Sequence, residues 1–303
     1  MARLKERRWE LMEVGEEFGP LDLEVTDHLV KSFVYAVDDD FRYLCDRPDT
    51  SRIAPPTLLC REARDVIRTG YDITSGGAGM HTKHECEIFA SPTIGQVVRI
   101  TGRHVAKFVK REKQYIVLES WIHDEAGHPL LRQLSTHIRA LRPGVARETP
   151  RAVNGPTGPT PLGTPVAEDA TRLRPGDQLR PLTKRITQEQ LTVFAGTEWP
   201  NIHNDPAVAA AAGLRGTVAS GLQTMAYVSQ LMTGYCGDGW SAGGRLAVAF
   251  IAPVFVNEVV YASGEVSRID ERDGRQRLVA DVWCETGAGV RVLAGTAEGW
   301  LSA

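Results

Sequence analysis

The chain has 303 residues, 42% of them hydrophobic and 24% charged, with a net charge of -3 and a pI near 6.3. That is the composition of a soluble globular protein long enough for two domains with their own cores. No basic field is present, which argues against nucleic acid or an anionic membrane as the main partner. The five cysteines, Cys45, Cys60, Cys86, Cys236 and Cys284, form no CxxC pair. Neither a disulfide framework nor a metal site is therefore expected, and a reducing, cytoplasmic setting is. The opening stretch, MARLKERRWELMEVGEEF, carries too many charges for a signal-peptide core, and no apolar run reaches the ~18 residues that would span a bilayer.

In chain order, GEEFGPLDLEVT from Gly15 reads as a turn, and Thr26 reads as the N-cap of a first helix. A second helix is expected over 56–69, with Leu59, Ala63, Val66 and Ile67 on one face. Long alternating strands follow at 83–90, 96–111, 113–124 and 129–141, with a turn signal in EAGH. Residues 143–165 are rich in Pro, Gly and Thr and read as a linker.

Beyond the linker the same order returns. GDQLRPLTKRIT from Gly176 repeats the opening of the first half at a spacing of 176 − 15 = 161. That spacing also pairs Pro20 with Pro181, Thr26 with Thr187, Phe33 with Phe194, and Phe89 with Phe250. A constant offset over this distance indicates an internal duplication. The stretch AVAAAAG ends a helix at Gly213. A second apolar helix runs over about 221–233, and strands occupy 245–253, 258–270, 277–286 and 291–301. The expected domains are 1–142, the linker 143–165, and 166–303. Each is an α+β unit in which a curved antiparallel sheet wraps one central helix.

The stretch GTEWPNIHNDP, residues 196–206, carries chemistry. Glu198 and His203 stand five positions apart, about 140° apart if helical, but Pro200 argues for an irregular loop. There the two groups can converge on one water. Asp205 before Pro206 reads as the N-cap of the next helix. His81 and His84 have a spacing that can bind metal, but no partner cluster is visible in the sequence.

These residues resemble the MaoC-like, (R)-specific enoyl-CoA hydratase family, whose signature is an acid, four residues, His-x-Asp-Pro, and a later His-Gly pair opening the central helix. Here these are Glu198, His203, Asp205-Pro206 and Ser220-Gly221. Three departures stand out: Glu198 replaces the usual Asp, Pro200 and Asn201 are exchanged, and Ser220 replaces the usual His. The resemblance covers about 125 residues of the second half strongly and the first half weakly. It implies a tandem, double hotdog arrangement and a hydro-lyase that needs no cofactor or metal.

On that resemblance Glu198 and His203 are catalytic, the Gly221 N–H is the oxyanion donor, and Ser229, Asn201 and Ser220 support them. Ser229 is carried to a position whose hydroxyl contacts the catalytic carboxylate. The chemistry is consistent: a carboxylate and an imidazole can share proton transfer, and a glycine at a helix start lets a thioester oxygen meet free N–H groups. The implied substrate is a thioester of coenzyme A or acyl carrier protein.

The 161 offset puts Val37 opposite Glu198 and Arg42 opposite His203, and VDDDFRYLCDRPD contains no histidine. The first half is expected to be catalytically silent, to complete the hotdog pair and to shape the acyl tunnel. Homodimerisation is compatible with this. The rival readings are a hotdog thioesterase and a non-catalytic acyl-thioester-binding subunit. Lys184, Arg215 and Arg245 are candidates to meet phosphates or to be solvated surface groups.

Overall fold

The computed structural model describes residues 4–39, 41–45, 51–75, 79–139, 166–167 and 172–301. The linker at 143–165 lies outside the described residues. The first half runs β1 (Lys5–Glu6), β2 (Glu17–Glu24), α1 (Asp27–Val37), α2 (Cys60–Asp65), β3 (Tyr71–Asp72), β4 (Met80–Ile88), β5 (Val97–Lys110), β6 (Lys113–His123) and β7 (Pro129–Arg139). After β8 (Val166–Ala167), the second half runs β9 (Gln178–Arg185), α3 (Gln188–Ala195), α4 (Pro206–Ala211), α5 (Gly221–Cys236), α6 (Asp238–Ser241), β10 (Arg245–Phe250), β11 (Val259–Arg272), β12 (Arg275–Thr286) and β13 (Arg291–Trp300).

Eleven strands form one sheet in the order β2-β5-β6-β7-β4-β10-β13-β12-β11-β9-β8. Apart from β8, the order of one half mirrors that of the other across the β4–β10 seam. The register follows the same symmetry. His84 faces Val248 across that seam and Cys86 faces Leu246, so each pair maps onto the other at a spacing of 246 − 84 = 162. On the helical side Phe33 packs against Phe194, ring centroids 5.9 Å apart. Repeat-related residues that touch each other must lie on the pseudo-twofold axis. The duplication therefore folds as a double hotdog, in which one continuous sheet curls around the helices of both halves.

Two expectations need correction. GEEFGPLDLEVT and its repeat are not turns: β2 and β9 pair antiparallel with β5 and β11. Both carry a proline and a register shift, at Phe18/Leu21 on β2 and opposite Ala262/Gly264 of β11 for β9, and proline is tolerated on a strand near a sheet edge. The helix expected over 56–69 is also shorter. Turns occupy 56–59, α2 spans only Cys60–Asp65, and a tighter 3-10 turn covers Val66–Thr69.

By contrast α5 extends to Cys236 and buries twelve of its sixteen residues, so it is covered nearly all round and not on one face. The sheet covers one side. The first half covers the other, where Gln223 Nε2 donates to the Ala36 carbonyl at 2.9 Å.

Short-range signals set the start of α3, the helix that leads into the 196–205 loop. Thr187 Oγ1 accepts from the Gln190 N–H, and the Gln190 side chain accepts from the Thr187 N–H. This reciprocal box satisfies two otherwise unpaired donors. Thr187→Ala should lower stability by about 1 kcal/mol, read as a lower urea midpoint at unchanged slope. An unchanged midpoint would show that the cap is dispensable.

Candidate functional site

The loop after α3 is held by its own asparagines. Asn201 Oδ1 accepts the His203 N–H at 2.9 Å, Asn204 Oδ1 accepts the Asn201 N–H at 2.8 Å, and Asn204 Nδ2 donates to the Gly196 carbonyl at 2.9 Å. Asp205 caps α4 by accepting from the N–H groups of Ala207 and Val208. Gln188, on the first turn of α3, donates to the His203 carbonyl at 3.0 Å and accepts from the Thr217 hydroxyl at 2.7 Å. The histidine backbone is thus fixed from both sides.

The ring of His203 is fixed as well. Its Nδ1 lies 2.7 Å from the Val218 carbonyl oxygen. A carbonyl only accepts, so Nδ1 carries the proton and the neutral ring leaves Nε2 with a lone pair. Burial pushes the imidazole down to about 4; the Val218 carbonyl opposes this and the Arg64 charge adds to it. His203 is therefore a neutral base at pH 7, in the tautomer that presents Nε2.

Val218 lies three residues before α5. Ser220 is the N-cap residue of α5 and is buried, but its side chain makes no capping hydrogen bond. Among the described residues no acceptor takes the N–H of Gly221 or Leu222. Uncapped N–H groups at the start of a sixteen-residue helix favour an anion. A Cβ at Gly221 would meet the Phe250 ring at 2.9 Å, so the glycine keeps that helix end close to β10.

Glu198 is placed differently. It is exposed, its carboxylate turns back over the backbone of Gly196, and no hydrogen bond or ion pair joins it to His203 among the described residues. Ser229 is likewise not brought to Glu198: its hydroxyl accepts the Trp240 indole N–H at 2.8 Å and secures α5 to α6.

The residues considered for phosphates are engaged elsewhere. The buried Lys184 bonds the Asp38 carbonyl and ties the two halves. Arg215 pairs with Glu258, and Arg245 with Glu87 across the seam. Cys60, His84 and Cys86 put potential ligand atoms within 4.8 Å of one another. The two thiols interact, which with burial raises the Cys60 pKa well above its usual value, and His84 Nδ1 already bonds Ser135.

The sequence profile of the MaoC like domain matches residues 171–286. The second half is a MaoC-like domain. Its acid–His-x-Asp-Pro loop and its glycine-led helix are the parts just described. No functionally curated protein matches the chain in sequence.

Solved structures show the same fold. A MaoC-like dehydratase superposes with a TM-score of 0.78 at 18% identity, covering 97% of this chain and 100% of that one. Full-length peroxisomal multifunctional enzyme type 2 from Drosophila melanogaster gives 0.65 at 17%, covering 94% of this chain and 48% of that one. A Mycobacterium tuberculosis protein described as having a double hotdog fold gives 0.65 at 12%, covering 98% of each chain.

Sequence reasoning missed the residues that surround the MaoC-like loop from outside the motif. The Val218 carbonyl is a backbone group with no side-chain signature, and Gln188 looked like an ordinary helix residue. From the first half, Arg61 donates to the Phe194 carbonyl at 2.6 Å, and the Arg68 guanidinium sits 4.5 Å from the Trp199 ring centre. The half expected to be silent braces the loop directly. Gly221→Ala should reduce kcat by roughly tenfold or more, because a side chain at the helix start displaces a bound oxygen from its donors. Equal kcat for the two proteins would remove Gly221 from the site.

Proposed function

We propose that the chain catalyses the reversible hydration of trans-2-enoyl thioesters to (R)-3-hydroxyacyl thioesters. The supporting observation is the state of His203: neutral, with its Nδ1 proton committed to Val218, and with Nε2 free on the segment that enters the uncapped N-terminus of α5.

Water bound between Nε2 and the Glu198 carboxylate loses a proton to the dyad as its oxygen adds to the β-carbon. Negative charge passes to the thioester oxygen, which the Gly221 N–H receives. The dyad then returns a proton to the α-carbon on the same face, and nothing is consumed but water. For this the Glu198 side chain turns from Gly196 toward His203. The dyad sits in the second half, and the first half completes the hotdog pair. The acyl group is carried by coenzyme A or by an acyl carrier protein.

The reaction class is read by following loss of the conjugated enoyl absorbance and release of free thiol together. Loss of absorbance without thiol supports hydration. Thiol release would make the chain a hotdog thioesterase. Binding of a thioester without either change would make it an acyl-thioester-binding subunit.

A further inference from the structure

The interior of the first half, beside the reaction centre, is polar where the second half is apolar. The duplication provides the comparison. The register pairs His84 with Ser135, and Cys86 with Gln133. The equivalent pairs, 162 positions on (297 − 135 = 162), are Leu246 with Ala297 and Val248 with Gly295. Both central helices begin at equivalent residues, Cys60 and Gly221 (221 − 60 = 161). Arg64 of α2 therefore stands where α5 carries the fully buried Met225, and Asp65 where α5 carries Ala226. A hotdog half folds around an apolar lining, as the second one shows, so the fold alone does not require this arginine and these histidines.

The polar groups adjoin the reaction centre. Phe250, which packs at Gly221, lies 4.7 Å from the His81 ring. His81 stacks on His137 at 4.3 Å and meets His84 at 5.2 Å. Burial depresses all three and His203; the Arg64 charge adds to this at His84, His137 and His203, and at His81 it comes after the charges of His137 and His84.

The Arg64 side chain is 25% exposed. His81, His137, Phe250 and His203 are likewise partly accessible. The carboxylate that Arg64 bonds, Asp65, is shared: it accepts from Arg64 Nε at 2.9 Å and from Arg68 at 2.6 Å. Among the described residues, the terminal nitrogens of Arg64 make no hydrogen bond. His84 Nε2 and both ring nitrogens of His81 are buried without a hydrogen-bond partner among the described residues. Such donors in a low-dielectric space call for an anionic or strongly accepting ligand.

We infer that the acyl group of the substrate ends in a carboxylate, bound in the first half by Arg64 with hydrogen bonds from the histidine cluster beside Phe250. This rests on the hydratase reading, which puts the thioester carbonyl at Gly221 and so directs the acyl chain past Phe250 toward His81. The phosphates of the carrier remain at the other end of the molecule and do not compete for this position. The Arg64 guanidinium offers two parallel N–H groups to one carboxylate, a geometry that a methyl-ended chain leaves unpaired.

The test compares two five-carbon pairs that share the coenzyme A moiety. Turnover is measured with glutaconyl-CoA and pent-2-enoyl-CoA, and binding by calorimetry with the saturated glutaryl-CoA and pentanoyl-CoA. Wild type should favour the carboxylate-ended member at least tenfold in kcat/KM and in Kd. Arg64→Met should erase or invert that ratio, while Arg64→Lys should retain part of it. Equal or opposite preference in the wild type overturns the inference, whatever the variants do. The hydratase reading fails separately: neither enoyl thioester would be hydrated, although the binding preference for glutaryl-CoA persisted. Hydration of both without preference would leave that reading standing and remove this one.

Discussion

His203→Ala should lower kcat by roughly 10²- to 10⁴-fold, the usual contribution of a positioned acid–base group, with KM changed far less. Glu198→Gln should lower it comparably, since it keeps the shape and removes the charge. The reason lies in the tautomer. Only a ring whose Nδ1 proton is held by Val218 presents Nε2 to water, and alanine supplies no base there. Because burial pushes His203 down to about 4, kcat/KM should be flat between pH 6 and 8, with no limb near 6.5. A limb near 6.5 that persists in Glu198→Gln would show a solvated imidazole. Full rate in both variants would move the chemistry elsewhere.

The second large effect concerns stability. Five histidines are held below their ordinary value by burial: His81 and His137 well below it, His84 at about 3, and His104 and His203 at about 4. Each stays neutral in the folded chain and takes up a proton on unfolding once the pH falls below about 6.5. The stabilisation is complete above 6.5 and is lost as the pH falls from there to the folded values. Each fully buried imidazole costs about 1.4 kcal/mol per pH unit in this window. His84 and His104, 0% and 2% exposed, together cost about 4 kcal/mol at pH 5.

Domains are stable by only about 5–15 kcal/mol, so the urea midpoint should fall steeply between pH 6.5 and 5 and folding should fail before pH 4. His104→Gln should reduce that slope, because it removes one of the titrating groups beside Glu16, which lies 3.6 Å away. A midpoint unchanged from pH 7 to pH 5 would contradict this account.

Much of the fold was legible. The eight long strands were read from alternation, and the duplication from a constant offset of 161; the register relates the halves at 162 across the seam, one residue more. What misled were prolines. Pro20 and Pro181 look like turn signals, yet β2 and β9 lie near the ends of the sheet, where a missing N–H costs little. The first central helix was overestimated because its apolar spacing is helical, although Pro55 and Pro56 hold 56–59 in turns.

At the site, the loop declared itself through its side chains; Asp205 caps α4 as local sequence predicts, whereas Asn201, placed by resemblance, accepts the His203 N–H. The Val218 carbonyl could not be foreseen, because it is backbone brought in from fifteen residues away. Arg64 and His81 could not either, since only the pseudo-twofold seam places the first half beside the MaoC-like loop. The assignment of Ser229 followed family position, whereas its hydroxyl is committed to Trp240.

The most direct test of the central claim is to hydrate an enoyl thioester in deuterated water and determine the configuration of the product. One water held by Glu198 and His203 predicts an (R)-3-hydroxyacyl thioester with a single deuterium at C2, on the same face as the new hydroxyl. An (S) alcohol, deuterium on the opposite face, or no hydrated product from the wild type would contradict it.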